Sequence, residues 1–273
     1  MNRRSFSFIA GVVCAGLVGA PSYVAAQTVG TAASFGIVGG TAVTAAAGAT
    51  QSVVNGDVGV SPGTSITGFP AFAATTPPFA THSNDAAAIS AQAATLSLYN
   101  TLVALGAGTP LGAELSNQVL GPGTYTIGAA NLSSPGGPLS GTLTLNGAGL
   151  YVFKVGSSLT ANVNSTVLLN GVDPCQVFWQ VTSAATLNGV NFAGNVVAQA
   201  GVTLGSNATL AGRALTTSLG AVTLAGSNTI SACSSSFAPA APGPVPTLSQ
   251  WAMMGLTVLL AMSGVAALRA RRV

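Results

Sequence analysis

The sequence predicts a mainly β fold, a β-helix with three faces, from a repeat and from the strand signals inside it. Residues 152–233 divide into four stretches of about 18–20 residues, a period typical of one coil of a solenoid. Each stretch opens on a short β-prone run and then carries a threonine between small or apolar residues. Glycine or asparagine separates the runs, where the backbone must turn. The four stretches are Val152–Gly171, Val177–Asn195, Val196–Arg213 and Ala214–Cys233.

The composition excludes several classes of function. Charged residues make up 4% of the 273 residues, against about 25% in an average soluble domain. The net charge of +3 comes from arginines near the two ends, because the middle holds two bases, Lys154 and Arg213, against four acids, a net of −2. No basic patch can form there, so the sequence predicts no nucleic-acid partner.

Residues that could carry out chemistry are scarce. The one histidine, His82, lies beside Ser83 and Asp85, but a catalytic triad needs spatial convergence, and we interpret His82 as a loop residue before a helix cap. The four acids, Asp57, Asp85, Glu114 and Asp173, are scattered. Glycoside hydrolysis needs two carboxylates facing one bond, and metal sites need grouped ligands. The sequence therefore predicts a protein that is not an enzyme and has no metal or cofactor.

The amino terminus predicts export. Residues 1–26 have the three parts of a secretory signal: Arg3 and Arg4, the apolar run Phe8–Leu17, and small residues before the expected cleavage site. The mature protein would begin near Gln27. We therefore expect the β-helix domain to span residues 27–234.

Before the repeats, the sequence predicts one long helix over Asn84–Leu105. Ser83, Asn84 or Asp85 can cap its start, and two glycines follow its end. Apolar residues recur at intervals of three or four and predict a stripe that covers one face of the solenoid; a partner-binding helix is the alternative. The stripe contains Ile89, Ala93, Leu96, Tyr99 or Asn100, and Leu102 or Val103.

Two cysteines, Cys175 and Cys233, remain after signal removal. An even pair in an exported protein predicts a disulfide, here joining an early coil to the last one. A reactive thiol is the alternative.

The carboxyl terminus combines three features. Residues 235–244 form a Ser/Ala/Pro linker, and residues 245–273 begin Val-Pro-Thr-Leu-Ser-Gln-Trp, continue into the apolar run Ala252–Leu268 and end in arginines. The run is at the short limit for a membrane span, and the arginines should stay cytoplasmic. This tail resembles C-terminal sorting signals of exported proteins of Gram-negative bacteria. The resemblance implies secretion or cell-surface display, transient membrane anchoring and removal by a membrane protease.

From about residue 30 to residue 233, the chain resembles microbial ice-binding proteins with a discontinuous β-helix. The resemblance implies a right-handed β-helix of triangular section, one long helix packed alongside, and a flat sheet face that adsorbs to ice. It rests on the Ala-rich helix and on the stretches Asn55–Pro70, Leu120–Tyr125, Tyr151–Val155, Val177–Val181, Gly194–Ala198 and Gly212–Leu215.

The outward threonines are the candidate ice-binding residues. Stacked strands lie about 4.7–4.9 Å apart, close to a repeat of ice of roughly 4.5 Å, and β-branched threonine is stiff. Thr41–Thr44 also fits the family's motif but lies outside the repeats. The outward threonines do not decide which of the three faces is flat. The predicted column is Thr160, Thr186, Thr203 and Thr223, with Ser206, Thr209 and Thr229 beside it.

A different function is open to the same fold. A structural or adhesive β-solenoid at the cell surface or in a biofilm, binding sugars or other partners, would also present outward threonines, because threonine is a good strand residue. Of the two, we predict the ice-binding function and a monomeric protein.

Overall fold

The computed structural model describes residues 28–132 and 141–233. There the chain winds into stacked coils, and a full coil contributes one strand to each of three parallel sheets, called A, B and C below. The predicted fold class, a discontinuous β-helix with one long α-helix packed alongside, is confirmed.

The strands of each sheet follow one another in the same spatial order, from the upper to the lower end. Sheet A consists of β7 (Thr81–Ser83), β4 (Asp57–Val60), β1 (Phe35–Gly39), β22 (Ala214–Thr216), β19 (Asn195–Ala198), β16 (Val177–Val181), β13 (Tyr151–Val155), β10 (Gly123–Ile127) and β8 (Thr109–Pro110). Sheet B consists of β5 (Ser65–Thr67), β2 (Ala42–Ala45), β23 (Ala221–Leu224), β20 (Gly201–Leu204), β17 (Ala184–Leu187), β14 (Leu159–Ala161) and β11 (Ala130–Leu132). Sheet C consists of β6 (Ala73–Thr75), β3 (Ser52–Asn55), β24 (Thr229–Ser231), β21 (Thr209–Ala211), β18 (Asn191–Ala193), β15 (Thr166–Asn170), β12 (Thr142–Asn146) and β9 (Val119–Leu120). The helices are α1 (Ala86–Ala104) and two 3-10 turns, Gly30–Ala32 and Pro174–Gln176.

The order of the coils is discontinuous in sequence. The amino-terminal segment builds the two upper coils, β1–β3 and β4–β6, and ends in β7. Helix α1 then runs down along sheet A, and the chain re-enters at β8 and winds upward to β24. The last coil, β22–β24, pairs with β1–β3. The first strands of the chain therefore cover the sheet edges that the last repeat would otherwise expose.

Helix α1 matches the sheet in length. Its 19 residues extend about 29 Å. It contacts the seven strands of sheet A from β7 to β13, and six inter-strand spacings also amount to about 29 Å. Of the three predicted caps Asp85 is the one used, since its side chain accepts a hydrogen bond of 2.9 Å from the Ala88 amide. At the other end, Lys154 Nζ donates to the Val103 and Leu105 carbonyls, where a cation favours the helix dipole.

The predicted apolar stripe of α1 is largely wrong. Of its members, Tyr99 and Leu102 face the solenoid, whereas Ile89, Leu96 and Val103 are exposed. The physical reason is that α1 is apolar or uncharged all round, so periodicity could not select the face that packs. The face against sheet A is formed instead by Ala88, Ala91, Gln92, Thr95, Leu98, Tyr99 and Leu102.

The apolar side chains form two layers. One fills the solenoid and contains a stack of aromatic rings, in which Phe153 lies 5.4 Å from Tyr125 and 4.0 Å from Trp179 between ring centroids. The other lies between sheet A and α1 and includes Val152 and Phe178. The middle of sheet A is thus buried on both faces, which explains why strands such as β1, β16 and β19 are buried along their whole length.

The corner between sheets B and C repeats a left-handed backbone position. Asn164, Gly189, Asn207 and Ser227 have φ values of 60°, 53°, 62° and 55° in successive coils. Glycine and asparagine tolerate this conformation better than other residues. These turns therefore place the corner at the same point of four successive coils.

Arg213 holds the junction where the end of the chain meets its beginning. Its guanidinium donates to Asn195 Oδ1 at 2.8 Å, to the Ala33 carbonyl at 2.6 Å and to the Cys233 carbonyl at 2.5 Å. Burial lowers the pKa of Arg213 to about 10, although Asp173 opposes the shift. The side chain is therefore charged at neutral pH while only 2% exposed.

The same corner contains the disulfide between Cys175 and Cys233, the pairing that the sequence predicts. Arg213 Nη1 lies 3.1 Å from Cys233 Sγ. Disulfide and guanidinium thus fasten the last coil both to an earlier coil and to the amino-terminal segment.

Arg213→Lys should lower the free energy of unfolding by about 3 kcal/mol, because an ammonium cannot reproduce the forked hydrogen bonds while it keeps the buried charge. Denaturant unfolding followed by circular dichroism measures this change. An unchanged midpoint would show that the carbonyls of Ala33 and Cys233 do not depend on the guanidinium.

The predicted signal peptide (residues 1–26), linker (235–244) and tail (245–273) lie outside the described residues. Within residues 28–132 and 141–233, no helix is both long and apolar enough to span a membrane.

Candidate functional site

The three faces of the β-helix differ in what covers them. Helix α1 packs on the outside of sheet A, so that sheet is closed to solvent along most of its length. In the described structure no element lies across the outside of sheet B or sheet C. A binding face of the solenoid must therefore be one of these two.

Sheet B carries an unbroken column of polar side chains along its centre. The strands pair in register from β11 to β5, without a register shift. One outward residue per strand falls on the same line, while its neighbours in sequence point inward. The column, called the threonine column below, consists of Asn131, Thr160, Thr186, Thr203, Thr223, Thr44 and Thr67.

The surroundings of the column keep this face flat. The outward residue two positions earlier is small in the successive strands, as in Ala184, Gly201, Ala221 and Ala42. The threonine methyl and hydroxyl groups therefore stand above a floor of alanine and glycine. The inward neighbours of Thr203 are fully buried, so the core fixes each strand from behind.

The threonine hydroxyls are free to bind water. Among the described residues, Thr160, Thr186, Thr203 and Thr223 make no side-chain hydrogen bond to protein; at the upper end, Thr67 Oγ1 donates to Thr44 Oγ1 at 3.3 Å. A stiff χ1 holds each hydroxyl at one position of the array. Over six inter-strand spacings the column extends about 29 Å.

No charged residue lies on the seven strands of sheet B. The nearest acid is Glu114, which forms an isolated β-bridge with Asn131 at the lower edge. Charged groups elsewhere in the described chain stand at the ends or corners of the solenoid or at the end of α1. Sheet B therefore presents methyl and hydroxyl groups with no strong local field.

Sheet C is less regular. Strands β15 and β18 pair at one position only, Thr166 with Asn191, and a depression of about 270 Å³ opens beside them, with Phe192 and Leu169 in its wall. Its polar side chains bond to one another, as in Thr209 Oγ1 to Asn191 Oδ1 at 2.8 Å. These groups have fewer hydrogen-bonding positions left for an ordered water layer.

The structure divides the predicted site residues between two faces. Thr160, Thr186, Thr203 and Thr223 lie together in the threonine column. Ser206 lies in the turn after sheet B, and its hydroxyl donates to the Ala225 carbonyl. Thr209 and Thr229 lie on sheet C, so the prediction that they flank the column is wrong. The chain turns the corner at Asn207, which separates these residues from Thr203.

The column predicted from the sequence lacks three of the residues that the structure places in it. Asn131 precedes the predicted repeats, and Thr44 and Thr67 belong to the two upper coils. The prediction that Thr41–Thr44 lies outside the repeats is wrong for Thr44, which pairs with Thr223. A signal was present in the sequence, because Ala42-Val-Thr and Ala221-Val-Thr are identical tripeptides that lie side by side.

His82 forms part of a local polar cluster. Its Nδ1 lies 2.8 Å from Asp85 Oδ2, and its Nε2 lies 3.9 Å from Asp57 Oδ1. The Ser83 hydroxyl donates instead to the Thr64 carbonyl, so no catalytic triad forms. Hydrogen bonds from the Ala88 amide and from His82 lower the pKa of the Asp85 carboxyl, which fits its role as helix cap. The described residues contain no group of three or more metal-ligating side chains.

The fold and the open face define a class of protein: a β-helix with one side covered by a helix and one uncharged threonine face exposed. The profile of the Ice-binding-like family matches residues 37–231, and the chain belongs to that family. The IPTL-CTERM motif matches residues 244–272, which confirms the resemblance of the tail to a sorting signal.

Individual proteins similar to this chain are also ice-binding proteins. An ice-binding protein of Nostoc sp. (strain HG1) is 36% identical over 211 residues, covering 75% of this chain and 74% of the relative. The crystal structure of an ice-binding protein from the Antarctic ascomycete Antarctomyces psychrotrophicus has a TM-score of 0.67 and 34% identity, covering 76% of this chain and 98% of that one. An ice-binding protein from an Antarctic biological consortium has a TM-score of 0.66 and 31% identity, covering 75% of this chain and 90% of that one. The matched domain thus makes up almost all of the ascomycete chain and stands there as a folded unit.

Proposed function

We propose that this protein is exported and adsorbs to ice through sheet B, where it inhibits ice growth or recrystallisation. The observation that carries the proposal is the threonine column, seven residues in register on the one flat face that is uncharged and open. The relatives are named ice-binding proteins, and the region that the family profile matches, residues 37–231, contains the whole column.

The mechanism follows from the array. Water molecules bound between threonine hydroxyls take the spacing of the strands, about 4.8 Å, while the methyl groups force neighbouring water into an ordered cage. This layer joins a growing ice surface with little rearrangement. Each contact is weak, but the array is rigid before binding and loses little conformational entropy. The favourable free energies of the contacts along the seven strands therefore add.

Adsorption of this kind makes and breaks no covalent bond. The family is one of ice-binding proteins, and we propose that the chain carries out no catalysis, uses no cofactor and binds no nucleic acid. The ice surface is its principal partner.

The two ends of the chain serve export in this proposal. Residues 1–26 direct the chain across the inner membrane of a Gram-negative bacterium, and residues 245–273 hold it there transiently. The sorting motif, matched over residues 244–272, supports recognition and removal of this tail by a membrane protease. Residues 27–234 then form the ice-binding domain, joined to the tail by the linker 235–244.

Deletion of residues 245–273 should leave a soluble, folded domain that still shapes ice. The reason is that every described strand pairs within residues 35–231, and loss of an exposed terminus rarely disturbs a core. Circular dichroism checks the fold, and microscopy of a single ice crystal in dilute protein checks the function. Faceted crystals support the proposal.

Round, unfaceted crystals grown in the presence of a folded domain would refute ice binding. A glycan array with the same sample tests the alternative of an adhesive solenoid, which predicts sugar binding and no effect on crystal shape.

A further inference from the structure

The outer face of α1 carries aliphatic side chains that no described residue covers. Ile89, Leu96 and Val103 are 51%, 42% and 46% exposed, and Ala93 and Asn100 between them are exposed as well. We call these five residues the outer seam. Isolated surface aliphatics are ordinary, but a row of exposed apolar residues along a whole helix, interrupted only by Asn100, is typical of an interaction surface.

The spacing of the outer seam is that of a helix-pairing surface. Its members are separated by four, three, four and three residues, which is the heptad alternation of positions that face a partner helix. Asn100 is the one polar member. A single asparagine within an apolar heptad seam favours alignments in which its amide meets another asparagine or solvent. It therefore limits the registers in which two such helices can pair.

The helix also lacks the charged residues whose repulsion usually prevents two such surfaces from associating. No acidic or basic residue occurs from Ala86 to Ala104, whereas the solvent face of a surface helix is normally charged. Two copies of this face therefore meet without like-charge repulsion. A lipid surface is a poorer fit, because helices that lie in a membrane interface present Lys and Arg beside their apolar face.

We propose that the outer seam is a self-association surface, through which two copies of this chain pair helix to helix about a two-fold axis. Such an interface is isologous, so one apolar seam is sufficient for both partners. A helix about 29 Å long buries roughly 1,000 Å² in total, at the low end for specific interfaces. The pairing is accordingly weak and depends on concentration, in contrast to the monomer that the sequence predicts.

The pairing leaves the proposed ice face free. The outer seam faces away from sheet A, whereas the threonine column lies on sheet B. Self-association is measured without ice, so its failure and the failure of the proposed ice-binding function are separate results.

Sedimentation equilibrium of residues 27–244 between about 10 μM and 1 mM tests the proposal, over the range in which weak complexes dissociate. The weight-average mass should rise from that of one chain toward that of two. Leu96→Gln, at the centre of the outer seam, should weaken the association about tenfold. Leu168→Gln is the matched control, because Leu168 is 50% exposed on sheet C, and it should associate like the wild type. Circular dichroism confirms that both variants are folded.

Three results would overturn the proposal. One is a constant mass of one chain up to 1 mM. Another is loss of association in Leu168→Gln but not in Leu96→Gln, which would assign the contact to sheet C. The third is association only when residues 245–273 are present, which would assign it to the tail.

Discussion

Thr203→Tyr should reduce thermal hysteresis, the gap between the melting and freezing temperatures, by about tenfold at a fixed protein concentration, the size of effect expected when a central contact of a binding face is lost. Thr203 pairs with Thr186 on one side and Thr223 on the other, so a ring at this position holds the neighbouring coils away from the ice. Its buried neighbours Val202 and Leu204 are untouched. Thr203 is a half-buried, outward residue, and surface substitutions of this kind usually change stability by within about 0.5 kcal/mol, so the variant should fold.

Thr229→Tyr is the matched control for this experiment. Thr229 is an exposed, outward threonine on β24, the third of the eight strands of sheet C, and it makes no side-chain hydrogen bond to a described residue. The thermal hysteresis of the Thr229→Tyr variant should equal that of the wild type. Equal loss in both variants, or full activity in Thr203→Tyr, would remove sheet B as the assigned face.

Replacing both Cys175 and Cys233 with serine should lower the free energy of unfolding by about 4 kcal/mol. The two residues are separated by 58 positions, and the estimate is the chain entropy of closing a loop of that length. Serine keeps a polar atom near the Arg213 guanidinium, which contacts the disulfide. Chemical denaturation measures the change, and mass spectrometry of the wild type under non-reducing conditions checks that the thiols are paired.

The double serine variant should still be folded near 0 °C, because a loss of this size leaves part of a typical domain stability. Its thermal hysteresis should therefore be close to that of the wild type, since the disulfide lies at the corner between sheets C and A and not on sheet B. An unchanged unfolding midpoint would contradict the role assigned to the disulfide at the junction of first and last coils.

The repeat that begins at Val152 was sufficient to predict the three-sheet solenoid, because a period of about 20 residues and glycine or asparagine turns permit few other folds. Alternation of small or apolar residues with threonine also placed Thr160, Thr186, Thr203 and Thr223 correctly on the outside. These features are local in sequence, and local patterns report side-chain direction well.

Features that depend on long-range pairing could not be predicted in the same way. Thr44 joins the column only because the amino-terminal segment stacks on the last repeat. Alternation distinguishes inside from outside but does not mark a corner, so it predicts the wrong face for Thr209 and Thr229. The left-handed residue Asn207 is the signal of that corner. For α1, the absence of charge on any side left no pattern by which Leu96 and Leu98 could be told apart.

Uptake into a growing ice hemisphere tests the central claim most directly. The domain is fused after residue 244 to a fluorescent protein, and ice is grown slowly from a dilute solution of the fusion. Ice grown with the wild type should be fluorescent, because adsorbed protein is overgrown, and ice grown with the Thr203→Tyr fusion should be clear. Clear ice with the wild type would contradict ice binding, and equal fluorescence with both fusions would contradict its assignment to sheet B.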